Sequence, residues 1–536
     1  MAKGYLAFVL HAHLPYVRHP EYDTFLEERW YFEACTETYI PIIKFFNELN
    51  RDAVPFKVTI SVSPSLLAMM ADPLLQDRYQ KHLENLIELS EKELERTKHE
   101  PHFHWLAGMY RTLFIEAHDI YVHQYQKNLT LAFKDLHHKG CIDLITTSAT
   151  HGLLPLLAPQ PNAVEAQVIT GLNYFESVLG FRPSGMWLPE CGYFSGLDKI
   201  LKKEGIRFFI MEGHGLDHAT TTPFYGVHAP LFTPSGVAAF GRDQLITKQV
   251  WSAEEGFPGH PDYREFYRDI GHELDFHYIQ PYIAGDVRTD TGMKYFRITG
   301  NAWKEPYNPN HARDRAAEHA AEFLFSRKAH IEAMDDKMEN HPIIVAPFDA
   351  ELFGHWWFEG PQWLNYVIKK AAFEQETIEL ISLTEYLDQH PVHQKGVPAS
   401  STWGYKGYFE GWLNDRTDWI YPQLYECCQR MESLAQRFGK KEIPEITQRA
   451  LNQCVRELLL AQSSDWPFII NNGTATEYAT RRIKDHVGRF HYLANSIVGN
   501  DINNEYLSGI EFMDNIFPDV NFKVYLGKGS PIKANS

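Results

Sequence analysis

One stretch presents a single acid in an unusual setting: Ser184-Gly-Met-Trp-Leu-Pro-Glu190-Cys-Gly-Tyr193. Met186, Trp187 and Leu188 have strand character, Pro189 ends the ladder, and Gly192 permits an unusual turn. A carboxylate delivered at a strand end among apolar neighbours suits a nucleophile or a base, while an N-cap acid is the structural alternative. A second acid, Asp349, leaves an apolar run in Ala346-Pro-Phe-Asp-Ala-Glu-Leu-Phe-Gly-His-Trp-Trp357. Its Phe and Trp neighbours desolvate a carboxyl and raise its pKa, as a general acid requires, although a helix N-cap would use the same residue. Two carboxylates from different strands are the arrangement that cleaves glycosidic bonds.

Histidines gather near the same kind of position. His11-Ala-His13 follows the first apolar run, His151 follows Thr147, and Glu212-Gly-His214 and His355 lie past later runs. Alternate residues on a strand point the same way, so His11 and His13 could hold a metal, with His151, His214 or Asp349 as a third ligand. No His-Glu-x-x-His spacing supports that reading, and the competing one has these histidines hydrogen-bonding to substrate hydroxyls. Ser401-Thr-Trp403-Gly-Tyr-Lys-Gly-Tyr408-Phe-Glu-Gly-Trp412 is aromatic and Gly-rich, which suits either a stacking platform for sugar rings or an aromatic seam between domains. No Gly-x-Ser-x-Gly elbow, P-loop or Gly-x-Gly-x-x-Gly occurs, which leaves serine hydrolase, kinase and dehydrogenase chemistry without support.

The elements that must position these residues are short apolar runs alternating with helical text. Strands are expected at Tyr5–Leu10, Phe56–Val62, Cys141–Thr147, Gly185–Leu188, Ile206–Met211, Ile343–Ala346 and Ile378–Ser382. Helical periodicity marks Leu26–Leu49, with a restart at Pro41, and Ala312–Glu339. The pattern predicts an α/β barrel with parallel strands over residues 1–70 and 141–395, its active residues on the rim at the strands' C-terminal ends. Residues 71–140 read as a helical insertion and 396–536 as a C-terminal helical domain, with helices at Trp419–Phe438, Ile443–Ala461 and Ala475–Asn495. The stretch Phe224–Asp290 reads as a long functional loop.

Composition narrows the ligand. A formal charge of −18 argues against a nucleic-acid polyanion, and the 14% aromatic share suits stacking on a neutral sugar. Six cysteines without Cys-x-x-Cys spacing predict neither disulfides nor a zinc site, which points to a reducing cytoplasm. The N-terminal apolar run is interrupted by His11 and His13, so it reads as a strand rather than a signal sequence, and no membrane span is expected.

Five ordered motifs carry a family resemblance. They are His11-Ala-His-Leu-Pro15, Gly140–Leu154 with Thr150-His151-Gly152, Trp187-Leu-Pro-Glu-Cys-Gly192, Ala346–Trp356, and Thr402-Trp403-Gly404 through Trp412. Together they resemble family 57 glycoside hydrolases, and among these the 1,4-α-glucan branching enzymes. The resemblance implies a (β/α)7 barrel with a helical insertion and a C-terminal helical domain. It also implies a retaining reaction without metal or other cofactor, with Glu190 as nucleophile and Asp349 as general acid/base. His11, His13 and His151 would line the donor-sugar subsite, and Trp403, Trp412 and Asp465 would shape the groove; His214, past a later strand, is a further substrate-binding candidate. The implied partner is an α-glucan such as amylose, amylopectin or glycogen, bound by a monomer or small homo-oligomer.

The resemblance further implies a mobile loop bearing a Tyr, placed at about Thr233–Gly259; counting from the nucleophile motif lands near Phe240, Phe257 is not Tyr either, and no residue is assigned to the tip. Without a Tyr there, water competes better for the intermediate. The alternatives are an α-amylase or 4-α-glucanotransferase on the same machinery, a metal-dependent polysaccharide deacetylase, and a non-catalytic glucan-binding protein.

Overall fold

Among the described residues nine strands organise the fold: β1 (Gly4–Ala12), β2 (Val58–Val62), β3 (Ile142–Ile145), β4 (Gly185–Trp187), β5 (Phe208–Met211), β6 (Leu231–Phe232), β7 (Ala238–Gly241), β8 (Ile343–Asp349) and β9 (Ile378–Leu380). They are taken from a computed structural model that describes residues 2–283 and 285–527. One sheet runs β3-β2-β1-β8 and a second β4-β5-β7-β6, parallel throughout except for β6 against β7. A Thr146–Met186 bridge joins β3 to β4, and the Asp243 N–H donates to the Val345 carbonyl at 3.2 Å beside β8. β1, β2, β3, β4, β5, β7 and β8 therefore form a closed ring, a (β/α)7 barrel. β9 pairs only with Gly4–Leu6, below the Val9–Ala12 segment that pairs with β2.

All nine residues of β1 are buried because both of its faces are covered. Tyr5, Ala7 and Val9 pack inside the barrel with Trp187, Phe208, Ile210, Phe240, Ile343 and Val345. Leu6, Phe8 and Leu10 face outward, into a core shared with the surrounding helices. That same outer core takes in Leu75 and Leu83 of the helix Pro73–Arg96 and Leu451 and Leu458 of the helix Glu445–Ala461. Helices also run over Pro64–Ala71, Pro101–His118 and Thr130–His138, and later over Ile420–Phe438, Asp465–Asn472, Thr476–Gly499 and Asn504–Met513. Among the described residues no helix is long and apolar enough to cross a membrane.

Three local expectations are corrected. β1 and β8 extend further than the apolar runs, so His11 and Asp349 are strand residues rather than the start of loops. The stretch Phe224–Asp290 is not one loop, for it holds β6, β7 and the helix Gln244–Trp251. β7 escapes notice because two alanines and a glycine leave Ala238-Ala-Phe-Gly241 with little β propensity; Ala238 and Phe240 point into the barrel interior and Ala239 outward. Phe240 is 1% exposed inside the barrel, and Phe257 is buried with its ring stacked on His319, so neither is the tip of a mobile loop.

Candidate active site

Strand parity builds the site. The inward series Tyr5, Ala7, Val9 continues to His11, and the inward series Ile343, Val345 continues to Asp349. Register sets His11 opposite both Asp349 on β8 and Ser61 on β2. The next layer above the apolar barrel interior is thus polar, at the C-terminal end of the strands.

Glu190 enters this layer from the turn after β4. Its backbone is left-handed (φ 57°, ψ 26°), as are Cys191 (φ 51°) and His151 (φ 58°). Non-glycine residues adopt this region only at a cost of ~1–3 kcal/mol each, and such strain gathers at functional sites. Gly192, expected to make the turn, has φ −79° instead. It is needed for close approach, because a Cβ there would lie 2.7 Å from Leu153 Cδ1.

The Glu190 carboxyl is gripped on both oxygens. The Trp403 indole Nε1 donates to Oε2 at 2.7 Å, and the Ser464 hydroxyl donates to Oε1 at 2.8 Å. Burial raises its pKa to about 7, even though these two donors work in the opposite direction. Asp349 is pushed well above the usual carboxylate range by burial, then by the charges of Glu351 and Glu190. It stands at the N-cap position of a short helical turn yet makes no capping bond. Two inward acids with raised pKa values, one firmly bonded and one not capping its helix, suit a nucleophile and a proton donor.

The histidines form one stack beside Glu190. The His11 ring lies on Trp187 at 4.5 Å, and its Nε2 is 2.9 Å from His151 Nε2. The His13 and His151 rings stack at 4.0 Å, and His13 Nε2 lies 3.0 Å from Asp465 Oδ2. Burial and neighbouring histidine charge lower the pKa of His11 and of His151 well below the ordinary value. Burial also works to lower that of His13, but Asp465 beside it makes the net shift upward.

The family model described as glycosyl hydrolase family 57 matches residues 7–398, which include β2 to β9, most of β1 and both acids. The chain belongs to glycosyl hydrolase family 57. A second model, the C-terminal region of 1,4-α-glucan branching enzymes, matches residues 423–525, which include Ser464 and Asp465. The chain is 33% identical to a 1,4-α-glucan branching enzyme of Thermococcus kodakarensis, over 99% of its own length and 79% of the relative's. Among solved structures it is similar to the α-amylase AmyC of Thermotoga maritima, at 42% identity and a TM-score of 0.93, over 98% of this chain and 100% of that one. It is also similar to a family 57 branching enzyme of Pyrococcus horikoshii, at 33% identity and a TM-score of 0.88, over 99% and 98% of the two chains.

In this family 57 chain the aromatic Gly-rich stretch divides in two. Trp403 reaches Glu190, whereas Trp412 is 1% exposed, its ring against Phe468 and beneath Gly404. Trp412 therefore braces the Trp403 loop from behind and offers no face to a sugar. His214 packs under Gly407 and beside Tyr408, apart from the histidine stack. His355 turns to Glu37 at 2.6 Å.

Two residues, Ser464 and Arg242, join the site without having been singled out, and Glu351 joins them from the Asp349 stretch. Ser464 sits beside Asp465 in Ser-Ser-Asp-Trp-Pro, and nothing local marks its hydroxyl as bound for Glu190. Glu351 accepts from the His13 N–H at 3.1 Å and from the Tyr39 hydroxyl, and its place two residues after Asp349 was the available signal. Arg242 pairs with Glu212 at 2.7 Å and lies over the Trp403 ring at 5.6 Å. Among the described residues of this site, the group that could hold a metal is His13, His151 and Asp465, whose ligand atoms lie within 4.8 Å of one another. His13 Nε2 is already bonded to Asp465, and both His151 nitrogens face His11 and Ser464, so the donor set fits a closed hydrogen-bond network better than a coordination sphere.

Proposed function

We propose that this family 57 protein is a retaining 1,4-α-glucan branching enzyme acting on amylose, amylopectin or glycogen. Glu190 attacks the anomeric carbon of an α-1,4 link while Asp349 protonates the departing oxygen. The 6-hydroxyl of a second glucan then attacks the covalent glycosyl-enzyme, with Asp349 taking its proton, and an α-1,6 branch results. His13, Asp465 and Trp403 border the sugar being transferred, while His11 and His151, no more than 2% exposed, stand behind them rather than against it.

One observation carries the reading. The segment that matches the branching-enzyme C-terminal model supplies Ser464, which donates directly to Glu190. A region outside the barrel thus completes the nucleophile's surroundings, so the reaction depends on both parts of the chain.

Hydrolysis as an α-amylase is the second reading. It is favoured by the similarity to AmyC and by the absence of Tyr from residues 233–259. The two are separated by incubating amylose with the protein, debranching the product and profiling its chains. New α-1,6 points are expected; short reducing sugars without them would sink the branching reading in favour of the amylase.

A further inference from the structure

Four hydrogen bonds connect Glu190 to a serine on the far side of the histidine stack. Ser464 Oγ is 2.8 Å from Glu190 Oε1 and 2.9 Å from His151 Nδ1. His151 Nε2 is 2.9 Å from His11 Nε2, and His11 Nδ1 is 3.0 Å from Ser61 Oγ. Ser61, His11, His151 and Ser464 are all no more than 2% exposed. Ser464 precedes the helix Asp465–Asn472 at the position where a serine hydroxyl ordinarily caps, yet it makes no cap bond. Its hydroxyl is diverted from the helix to the carboxylate.

The donors in this chain can run only one way while Glu190 is ionised. The carboxylate accepts, so Ser464 gives it its only proton and must accept from His151 Nδ1–H. His151 Nε2 is then a lone pair that accepts from His11 Nε2–H. His11 Nδ1 is a lone pair in turn, and Ser61 donates to it. Both imidazoles are held neutral in single, opposite tautomers, in agreement with the lowering of both pKa values by burial. A protonated Glu190 that donated to Ser464 would leave the serine proton without its carboxylate acceptor, unless every bond reversed and both rings changed tautomer.

We propose that Ser61 and Ser464 are positioning residues at the two ends of a directional hydrogen-bond relay that holds Glu190 as an ionised nucleophile. The proposal rests on the reading of Glu190 as nucleophile. Ser61 touches neither Glu190 nor the sugar site and acts only through His11 and His151. Other charges also face Glu190: His13 and Asp465 across the stack, and Asp349 from β8. The relay differs from these in being directional, so its members must act as a unit.

The test is a double-mutant cycle on amylose, with kcat, KM and the pH profile measured for Ser61→Ala, Ser464→Ala and the pair. Each single substitution is expected to lower kcat about tenfold with KM little changed, the loss of one hydrogen bond to a charged network. The double variant is expected to lose no more than the worse single, and Ser464→Ala to move the acid limb to higher pH. Ser61→Thr, which keeps the hydroxyl, is expected to restore turnover. Losses that multiply to about a hundredfold in the double variant, or an unmoved acid limb, would overturn the relay. Circular dichroism and thermal unfolding establish that each variant folds, and Ser61→Cys, a weak donor of similar size, replaces Ser61→Ala in the cycle if it does not. Glu190→Gln separates the two ideas. If that variant keeps turnover, the nucleophile assignment fails; if it is inactive while the serine losses multiply, only the relay fails.

Discussion

Trp403 holds Glu190 twice, through its indole Nε1–H to the carboxyl at 2.7 Å and its backbone N–H to the Glu190 carbonyl at 3.0 Å. The second bond fixes the left-handed backbone of the acid, and the first fixes one lone pair of its carboxylate. The aromatic loop is thereby tied to the turn after β4 at both backbone and side chain.

Trp403→Phe keeps a ring on the loop and removes the indole donor. Turnover is expected to fall roughly tenfold, and the acid limb of kcat/KM to move to higher pH, because a bond that lowers the pKa of Glu190 is gone. An acid limb that stays in place would show that the indole bond does not tune the carboxyl.

Glu190→Gln is expected to abolish turnover and to change how stability depends on pH. The folded pKa of Glu190, about 7, lies above its ordinary 4.5, so the native protein loses stability as pH rises through that window. The glutamine carries no such charge, so its stability relative to wild type should grow by ~3 kcal/mol between pH 4.5 and pH 7 and then level off. Thermal unfolding at pH 5 and pH 8 measures it.

Asp349→Asn removes the group that must be protonated for the first step. The wild-type kcat/KM is expected to be bell-shaped, rising as Glu190 ionises and falling as Asp349 does, the two limbs belonging to a coupled pair. The variant should lose about a thousandfold in kcat and its alkaline limb with it. A variant whose alkaline limb persists would assign that limb to another group.

Asp465→Asn breaks a pair whose side chains are 9% and 17% exposed. The pKa of His13 is raised in the folded protein, so the stability from this pair is full below pH 6.5 and fades as pH rises through the folded value. The variant is expected to be destabilised on the order of 3 kcal/mol at pH 5.5 and clearly less at pH 8.5. Equal losses at both would mean that His13 is not charged in the native state.

Exhaustive chelation is expected to leave turnover on amylose unchanged, because His13 Nε2 and both nitrogens of His151 already have partners. Loss of activity on chelation and its return with a divalent ion would revive the deacetylase-like metal reading.

Much of this was legible in the sequence because it depends on local chemistry. Apolar runs such as Tyr5–Leu10 and Ile343–Ala346 could only be buried strands, and Glu190 and Asp349 stood out as acids placed where such runs end. β7 was not legible, because Ala238-Ala-Phe-Gly241 is a strand only through the neighbours that enclose it. Nor was the division between Trp403 and Trp412: two tryptophans nine positions apart in one Gly-rich stretch look alike until packing sends one to Glu190 and the other beneath Gly404.

The sequence by itself determined that acids and histidines stand where apolar runs end, and it marked every strand of the ring except β7. Only the closed barrel decided that His11 meets Ser61, 50 positions away, and that Glu190 meets Ser464, 274 positions away. Those contacts follow from which strands adjoin and where the C-terminal helices dock. No propensity or spacing within a single segment contains that information, because a hydrogen bond between distant residues is set by the register of the sheet and the packing of whole elements.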